Sequence, residues 1–245
     1  MKCILYDLRR AFTGRWFILA AIASAAALYM SIGDDTYFLM NILRDVENSS
    51  YFPFNLSDLI VQGMRGEFGT MTFPALVALP FAAQPLQEIK SGAIRPAVFR
   101  VGRRNWMIGK GIACILSGML LPVIASILMM IVLHGVMLIY CGSLFPAGDL
   151  TALLQPMAAR MLCGGIWASV GCIIALLTET AAAAYLAPLC LCYAMTMIGT
   201  RFFPQISMLN PANWLTGDVW LLLFFLALLV AAVLFTLRRE VIRHA

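Results

Sequence analysis

Charged residues are scarce in this chain of 245 residues: Asp, Glu, Lys and Arg make up 12% of it, whereas 62% is hydrophobic. A soluble domain of this size covers its apolar core with far more charged side chains. Only two histidines are present, and neither a His-Glu-x-x-His nor a Gly-x-Ser-x-Gly pattern occurs. The composition therefore excludes an ordinary soluble protein and gives no support to a metalloprotease or a serine hydrolase.

The few charges also avoid the middle of the long apolar runs, where an ion channel or a secondary transporter needs them. His134 has no acidic residue one helical turn away, so we predict an interhelical hydrogen bond for it rather than a metal site. Arg160 is expected near the outer end of an apolar run, with its charge reaching the interface. Residues 102–111 contain a Gly-Lys pair, but the spacing does not match a phosphate-binding loop.

Apolar runs are what this chain has in abundance, and a helix that crosses a bilayer needs about 20 such residues. Six runs approach or exceed this length, at residues 16–32, 68–86, 111–140, 156–177, 181–198 and 219–237. The second run contains Pro74 and Pro80, which are expected to interrupt a helix. We therefore predict an all-α membrane protein in which residues 1–245 form a single transmembrane domain with six transmembrane helices.

The distribution of positive charge predicts how the chain is oriented. With the N-terminus inside, 13 of the 17 lysines and arginines fall on the inner side of the six spans. The positive-inside rule then places both termini in the cytoplasm and residues 33–67 and 199–217 outside the cell. Residues 1–15 have apolar side chains at helical spacing with charges between them, which is typical of an interfacial helix.

The cytoplasmic loop 87–110 contains six of the 17 basic residues, interspersed with apolar ones. Val98 and Phe99 offer apolar contacts, and Arg100 and Arg103 share one face of a helix because they lie three residues apart. This combination is what docking into a groove on a soluble subunit requires. The alternative is that the loop is a basic anchor for anionic lipid, and the two roles are not exclusive.

The order of these features resembles the permease subunits of bacterial ABC-2 type transporters. That family has about this length, six spans, an interfacial N-terminal helix and both termini inside. Its first cytoplasmic loop, between spans two and three, has a coupling helix that docks on the ATPase, expected here at about residues 96–103, with Pro96 in its first turn. The segment from Asn210 to Trp214 looks like the family's outer re-entrant segment. The resemblance, together with the apolar pattern of the loop, assigns the ATPase-coupling interface to Glu88, Gly92, Arg95, Val98, Phe99, Arg100 and Arg103.

The resemblance implies a permease subunit that has no catalytic activity, is located in the bacterial cytoplasmic membrane, and has no cofactor or metal of its own. Its partners would be an ABC ATPase that binds ATP and Mg²⁺, a second permease chain and membrane lipids, with no nucleic acid. The resemblance also implies a substrate path near spans two and five. The alternative interpretation is that the same residues only take part in ordinary helix packing. The candidate path residues are Phe73, Phe81, Gln84, Tyr185 and Tyr193.

The implied function is export of an amphipathic or apolar substrate, such as a peptide or a lipid-like compound, driven by the separate ATPase. The alternative is a non-transport membrane scaffold or a receptor-like assembly subunit. A neighbouring gene for an ATPase with a phosphate-binding loop would favour transport. The identity of the substrate, the direction of transport and the choice between a homodimer and a heterodimer are left open by the sequence.

The charge distribution gives a testable topology. We expect a single cysteine at Ser49, in a cysteine-free background, to react with a membrane-impermeant thiol reagent in intact cells. A cysteine at Asn105 should react only after the membrane is opened, because loop 87–110 is predicted inside. The opposite pattern of labelling would overturn the orientation and, with it, the assignment of the coupling loop.

Overall fold

The computed structural model describes residues 2–33, 55–141, 148, 151–216 and 218–244, and its regular elements are all helical, with no strand in those ranges. The prediction of an all-α protein is therefore confirmed. Two short 3₁₀ helices, Ser207–Leu209 and Pro211–Leu215, precede the last long helix. The α-helices are α1 Lys2–Thr13, α2 Arg15–Ser31, α3 Leu56–Arg65, α4 Glu67–Met71, α5 Phe73–Ala78, α6 Gln84–Lys90, α7 Ile94–Val101, α8 Arg103–Cys141, α9 Thr151–Thr178, α10 Ala181–Arg201 and α11 Val219–His244.

Four of the described helices, α8 to α11, are long and apolar enough to cross a membrane. They correspond to the last four of the six predicted runs. Helices α1 and α2 together make a fifth candidate if this pair, bent by 51°, counts as one span. The helix predicted within residues 1–15 is thus present as α1, and the first predicted run forms α2. The structure supports a multi-helix membrane protein, whereas the count of six spans stays a prediction.

The second predicted run, residues 68–86, does not form one continuous helix. It is divided among α4, α5 and α6, with a break at Thr72 and a turn at residues 79–83. Pro74 lies in the first turn of α5, and Pro80 lies in the turn that follows α5. Proline has no backbone N–H and clashes with the preceding helical turn, so these positions favour helix breaks over helix interiors.

Part of the predicted external loop 33–67 forms a buried helix. The apolar side chains of α3 recur at helical spacing and lie on one face, which packs against α2 and α8. The fully buried members of this face are Leu56, Leu59, Ile60 and Met64. Residues 34–54 of this segment, and residue 217 of the second predicted external segment, lie outside the described residues.

Helix α9 is the most buried of the four long apolar helices and packs against α8, α10 and α11. Gly118 of α8 and Gly164 of α9 lie against each other where these two helices pack. A Cβ atom on Gly118 would lie 2.6 Å from the Gly164 carbonyl oxygen and 2.6 Å from the Ala168 Cβ. The crossing therefore depends on glycine, because only a residue without a side chain lets the two helix backbones come this close. In lipid, where no hydrophobic effect drives helices together, such close packing contributes to helix association.

We expect Gly118→Ala to destabilise the protein by about 1–3 kcal/mol, because the added methyl group meets backbone that cannot move aside. Gly135→Ala is the matched control in the same helix, since a Cβ there has no neighbour within 4 Å. The control should be neutral or stabilising, because Ala favours a helix over Gly by about 1 kcal/mol. Thermal unfolding midpoints in a mild detergent measure both, and equal midpoints would contradict the proposed crossing.

Candidate functional site

The middle of loop 87–110 forms the short helix α7, which begins two residues before the predicted start at Pro96. Pro96 lies in the first turn, where a backbone N–H has no acceptor within the helix, so proline is tolerated there. The helix ends at Gly102, whose φ of 86° lies in the left-handed region that favours glycine. Gly92, with a φ of 74°, turns the chain between α6 and α7. The two glycines therefore bracket the helix.

Helix α7 has one face on the protein core and one face exposed. Ile94 is buried, and Val98 packs partly against the same core cluster. On the other face, Phe99 is 93% exposed, more than any other large apolar side chain in the described part of the chain. The exposed basic side chains are those of Arg95 and Arg100 on α7 and of Arg103 at the start of α8. The prediction that Arg100 and Arg103 share a face of one helix is wrong, because Gly102 separates α7 from α8. Helix α7 is thus packed against the core on one face and presents an aromatic side chain and positive charges on the other.

The buried side of α7 lies next to a buried ammonium group. The side chain of Lys110 is only 3% exposed, and its Nζ lies 2.7 Å from Asp7 Oδ1 and 2.6 Å from Glu88 Oε1. The Nζ atom is also 5.6 Å from the centroid of the Phe81 ring. A buried charge is costly unless it is paired and hydrogen-bonded. Two carboxylates from α1 and α6 meet this requirement for the lysine of α8.

Further polar contacts extend this group. Glu88 Oε1 accepts from Arg10 Nη1 at 3.2 Å, and Glu88 Oε2 accepts from Trp106 Nε1 at 3.3 Å. With its amide oxygen facing the guanidinium, Gln84 accepts from Arg10 Nη2 at 2.6 Å. These side chains line a groove of about 460 Å³ beside α7. We call the group the Lys110 cluster; it consists of Asp7, Arg10, Gln84, Glu88, Trp106 and Lys110.

The structure places two of the predicted site residues inside this cluster. Glu88 belongs to a mostly buried ion-pair network rather than to the exposed face of α7, because the Lys110 ammonium needs its carboxylate. Gln84, predicted on the substrate path, contacts Arg10 instead. The sequence signal for the network was weak, since Asp7 and Lys110 are 103 positions apart and Asp7 looked like one charge of an interfacial helix.

The other candidate path residues lie in different surroundings. Phe81 is buried below Lys110, and Tyr185 packs partly against the same core cluster. Phe73 is buried in another cluster, between α5 and α9, whereas Tyr193 is 52% exposed on α10. The described conformation therefore does not bring these side chains together along one cavity.

Arg160 is buried, which corrects the expectation that its charge reaches the interface. Its side chain is 5% exposed, and its Nη2 donates to the Gly69 carbonyl oxygen. The guanidinium carbon lies 3.8 Å from the centroid of the Phe73 ring. The cause is the break between α4 and α5, which brings the Gly69 carbonyl and the Phe73 ring over this position of α9. His134 differs from expectation as well: its buried Nδ1 has no hydrogen-bond partner among the described residues.

The segment that looks like an outer re-entrant segment, Asn210 to Trp214, forms most of the second 3₁₀ helix, and the first 3₁₀ helix directly precedes it; the two pack against α9 and α10. Trp214 stacks on Trp167 of α9, with ring centroids 5.7 Å apart, and its Nε1 donates to the Met208 carbonyl oxygen at 2.8 Å. Asn210 caps the second short helix by accepting from the Ala212 N–H at 3.1 Å.

Comparison with known proteins adds no family assignment. No protein-family model matches the chain, and no curated protein or solved structure is significantly similar to it. The resemblance to ABC-2 permeases thus depends on the order of helices and on the features of loop 87–110, and membership of that family stays a prediction.

We expect Lys110→Met to destabilise the protein by about 3–5 kcal/mol, because it breaks a buried pair and removes the ammonium group that contacts both Asp7 and Glu88. The triple variant Asp7→Asn, Glu88→Gln, Lys110→Met should recover part of this loss, since all three buried or mostly buried charges are then removed and Arg10, which loses Glu88, is half-exposed to solvent. Arg243→Met is the control: it breaks an exposed ion pair with Glu179, which is worth about 0–1 kcal/mol. Thermal midpoints in detergent that fall equally in Lys110→Met and Arg243→Met would contradict the cluster's role.

Proposed function

We propose that this chain is the transmembrane permease subunit of an ATP-driven transporter of the ABC-2 type. The observation that carries the proposal is the exposed face of α7, which presents Phe99 together with arginines. The helices on either side of α7 are joined by the Lys110 cluster. An aromatic anchor surrounded by charges is typical of the centre of a protein–protein interface. The partner is a separate ATPase subunit with an acidic patch beside an apolar groove.

The connection of α7 to the rest of the fold supports a role in transmitting motion. Helix α8 begins directly after Gly102 and continues for 39 residues, which is about 58 Å at 1.5 Å per residue. The Lys110 cluster joins the start of α8 to α1 and α6. A displacement of α7 by a docked ATPase would therefore be passed to three helices together, and α8 would carry it across the bilayer.

A second permease chain is part of the proposal because two long apolar helices cover little of their surface within this chain. Helices α10 and α11 are the least buried of the four candidate spans. Exposed aromatic side chains on them include those of Tyr193, Phe224 and Phe235. The surface suits lipid and a neighbouring chain, and a path between two permease chains would suit an amphipathic or apolar substrate.

Reversal of two charges, one on α7 and one at the first residue of α8, tests the docking. We expect Arg100→Glu with Arg103→Glu to reduce co-purification of an ATPase at least tenfold, because like charges at an interface cost several kcal/mol. Adding Phe99→Ala to this double variant should weaken co-purification of the ATPase further. Each arginine changed singly to Ala should have a mild effect on co-purification. The purified complex is assayed for ATP hydrolysis and for the ratio of the two subunits.

The matched control is Arg238→Glu with Arg239→Glu, which makes the same charge change at exposed positions near the end of α11. On the predicted topology this pair lies on the same side of the membrane, so a loss of lipid attraction would affect both variants alike. Normal ATPase binding in the α7 variant would show that the loop is only a lipid anchor. A wild-type chain that purifies from its own membrane without any ATPase would overturn the proposed function.

A further inference from the structure

Arg160 is a buried cation without a counter-charge among the described residues. Its side chain is 5% exposed, and none of the ion pairs found among the described residues includes it. It lies about 13 Å along α9 from the first residue of that helix, at 1.5 Å per residue. In a helix of 28 residues centred on a hydrocarbon layer about 30 Å thick, this position is inside the layer.

The hydrogen-bonding capacity of Arg160 is largely unused. A guanidinium has five N–H donors, and the single acceptor that the described residues provide is the Gly69 carbonyl oxygen. The Phe73 ring adds a cation–π contact at 3.8 Å, but an aromatic face does not neutralise a full charge. Ionisable side chains at membrane depth are rare and usually face a partner or a binding site.

Arg160 lines two small cavities. The first has a volume of about 10 Å³ and is also lined by Ser24 of α2 and Pro122 of α8. The second has a volume of about 30 Å³ and is also lined by Thr196 of α10 and by Trp214. The first cavity has room for about one water molecule or one oxygen atom of an acidic group, and the second has room for about two; neither holds a whole solute.

The hydroxyl group of Ser24 is a second and independent sign of a missing ligand. Its side chain is 5% exposed, and its Oγ has no hydrogen-bond partner among the described residues. Buried polar atoms are nearly always hydrogen-bonded. Because Ser24 and Arg160 line the same cavity, one acceptor placed there would serve both groups.

We propose that Arg160 and Ser24 bind the acidic head group, a carboxylate or a phosphate, of an amphiphile. The planar guanidinium matches both groups through two parallel hydrogen bonds, and the serine hydroxyl donates a third. The cavities admit only the oxygen atoms of the acid, so the remainder of the ligand lies outside them. A site within the apolar layer selects a molecule whose apolar tail brings its acid to that depth. This site does not depend on the proposed ATPase coupling.

Binding of bromine-labelled dodecanoate to the full chain tests this site, with the protein in nanodiscs of phosphatidylcholine and quenching of tryptophan fluorescence as the signal. Trp214 lines the second cavity and reports on a nearby bromine. We expect Arg160→Gln to weaken binding about tenfold or more, because a hydrogen-bonded charge pair is lost. Ser24→Ala should weaken it about threefold or more. The control Arg201→Gln, at an exposed position on α10, should leave it unchanged.

Equal affinity of the wild type and Arg160→Gln would overturn the proposal, as would equally tight binding of bromine-labelled dodecanol, which has no charge. If Arg160→Gln does not fold, Ser24→Ala decides, and unchanged affinity in that variant overturns the shared site. Acetate distinguishes the source of the acid. Failure of acetate to compete with dodecanoate supports an amphiphile, whereas competition as effective as that of unlabelled dodecanoate assigns the site to a free anion and overturns the amphiphile.

Discussion

The ammonium group of Lys110 is the constraint on which the arrangement around α7 depends. It is buried, so it must keep two carboxylates within hydrogen-bond distance, and these come from α1 and α6. Because α7 lies between α6 and α8 in sequence, both of its neighbouring helices are held by the same ion-pair network. The exposure of Phe99 is therefore a property of an anchored helix and not of a loose loop.

The broken helices α4, α5 and α6 impose a second requirement. Each break in apolar surroundings leaves backbone N–H and C=O groups that need partners, because no water satisfies them there. Gly69 shows how two of these groups are satisfied: its N–H donates to Ser31 Oγ at 2.7 Å, and its carbonyl accepts from Arg160. Arg160 thus helps to hold the broken segment, while most of its N–H donors have no acceptor among the residues that the structure describes.

Composition and apolar periodicity predicted the long helices, because those signals are local and strong. Residues 111–140, 156–177, 181–198 and 219–237 all lie in long helices, and the prolines expected to interrupt the second run do divide it. The burial of Arg160 and the pairing of Glu88 with Lys110 could not be read from sequence. Both depend on contacts between distant segments, and a lone charge near a predicted helix end looks the same whether it faces water or a partner.

The two buried cations differ in how completely the protein compensates them, and this difference separates their roles. Lys110 contacts two carboxylates of its own chain, so its charge is neutralised in the described conformation. The Lys110 cluster therefore links α8 to α1 and α6. Arg160 has a carbonyl and an aromatic ring, which orient the guanidinium without neutralising it. A cation that is held in place but has no counter-charge in the described part of the chain is preorganised for an anion. Changes at α7 should therefore affect partner binding and leave the Arg160 site intact.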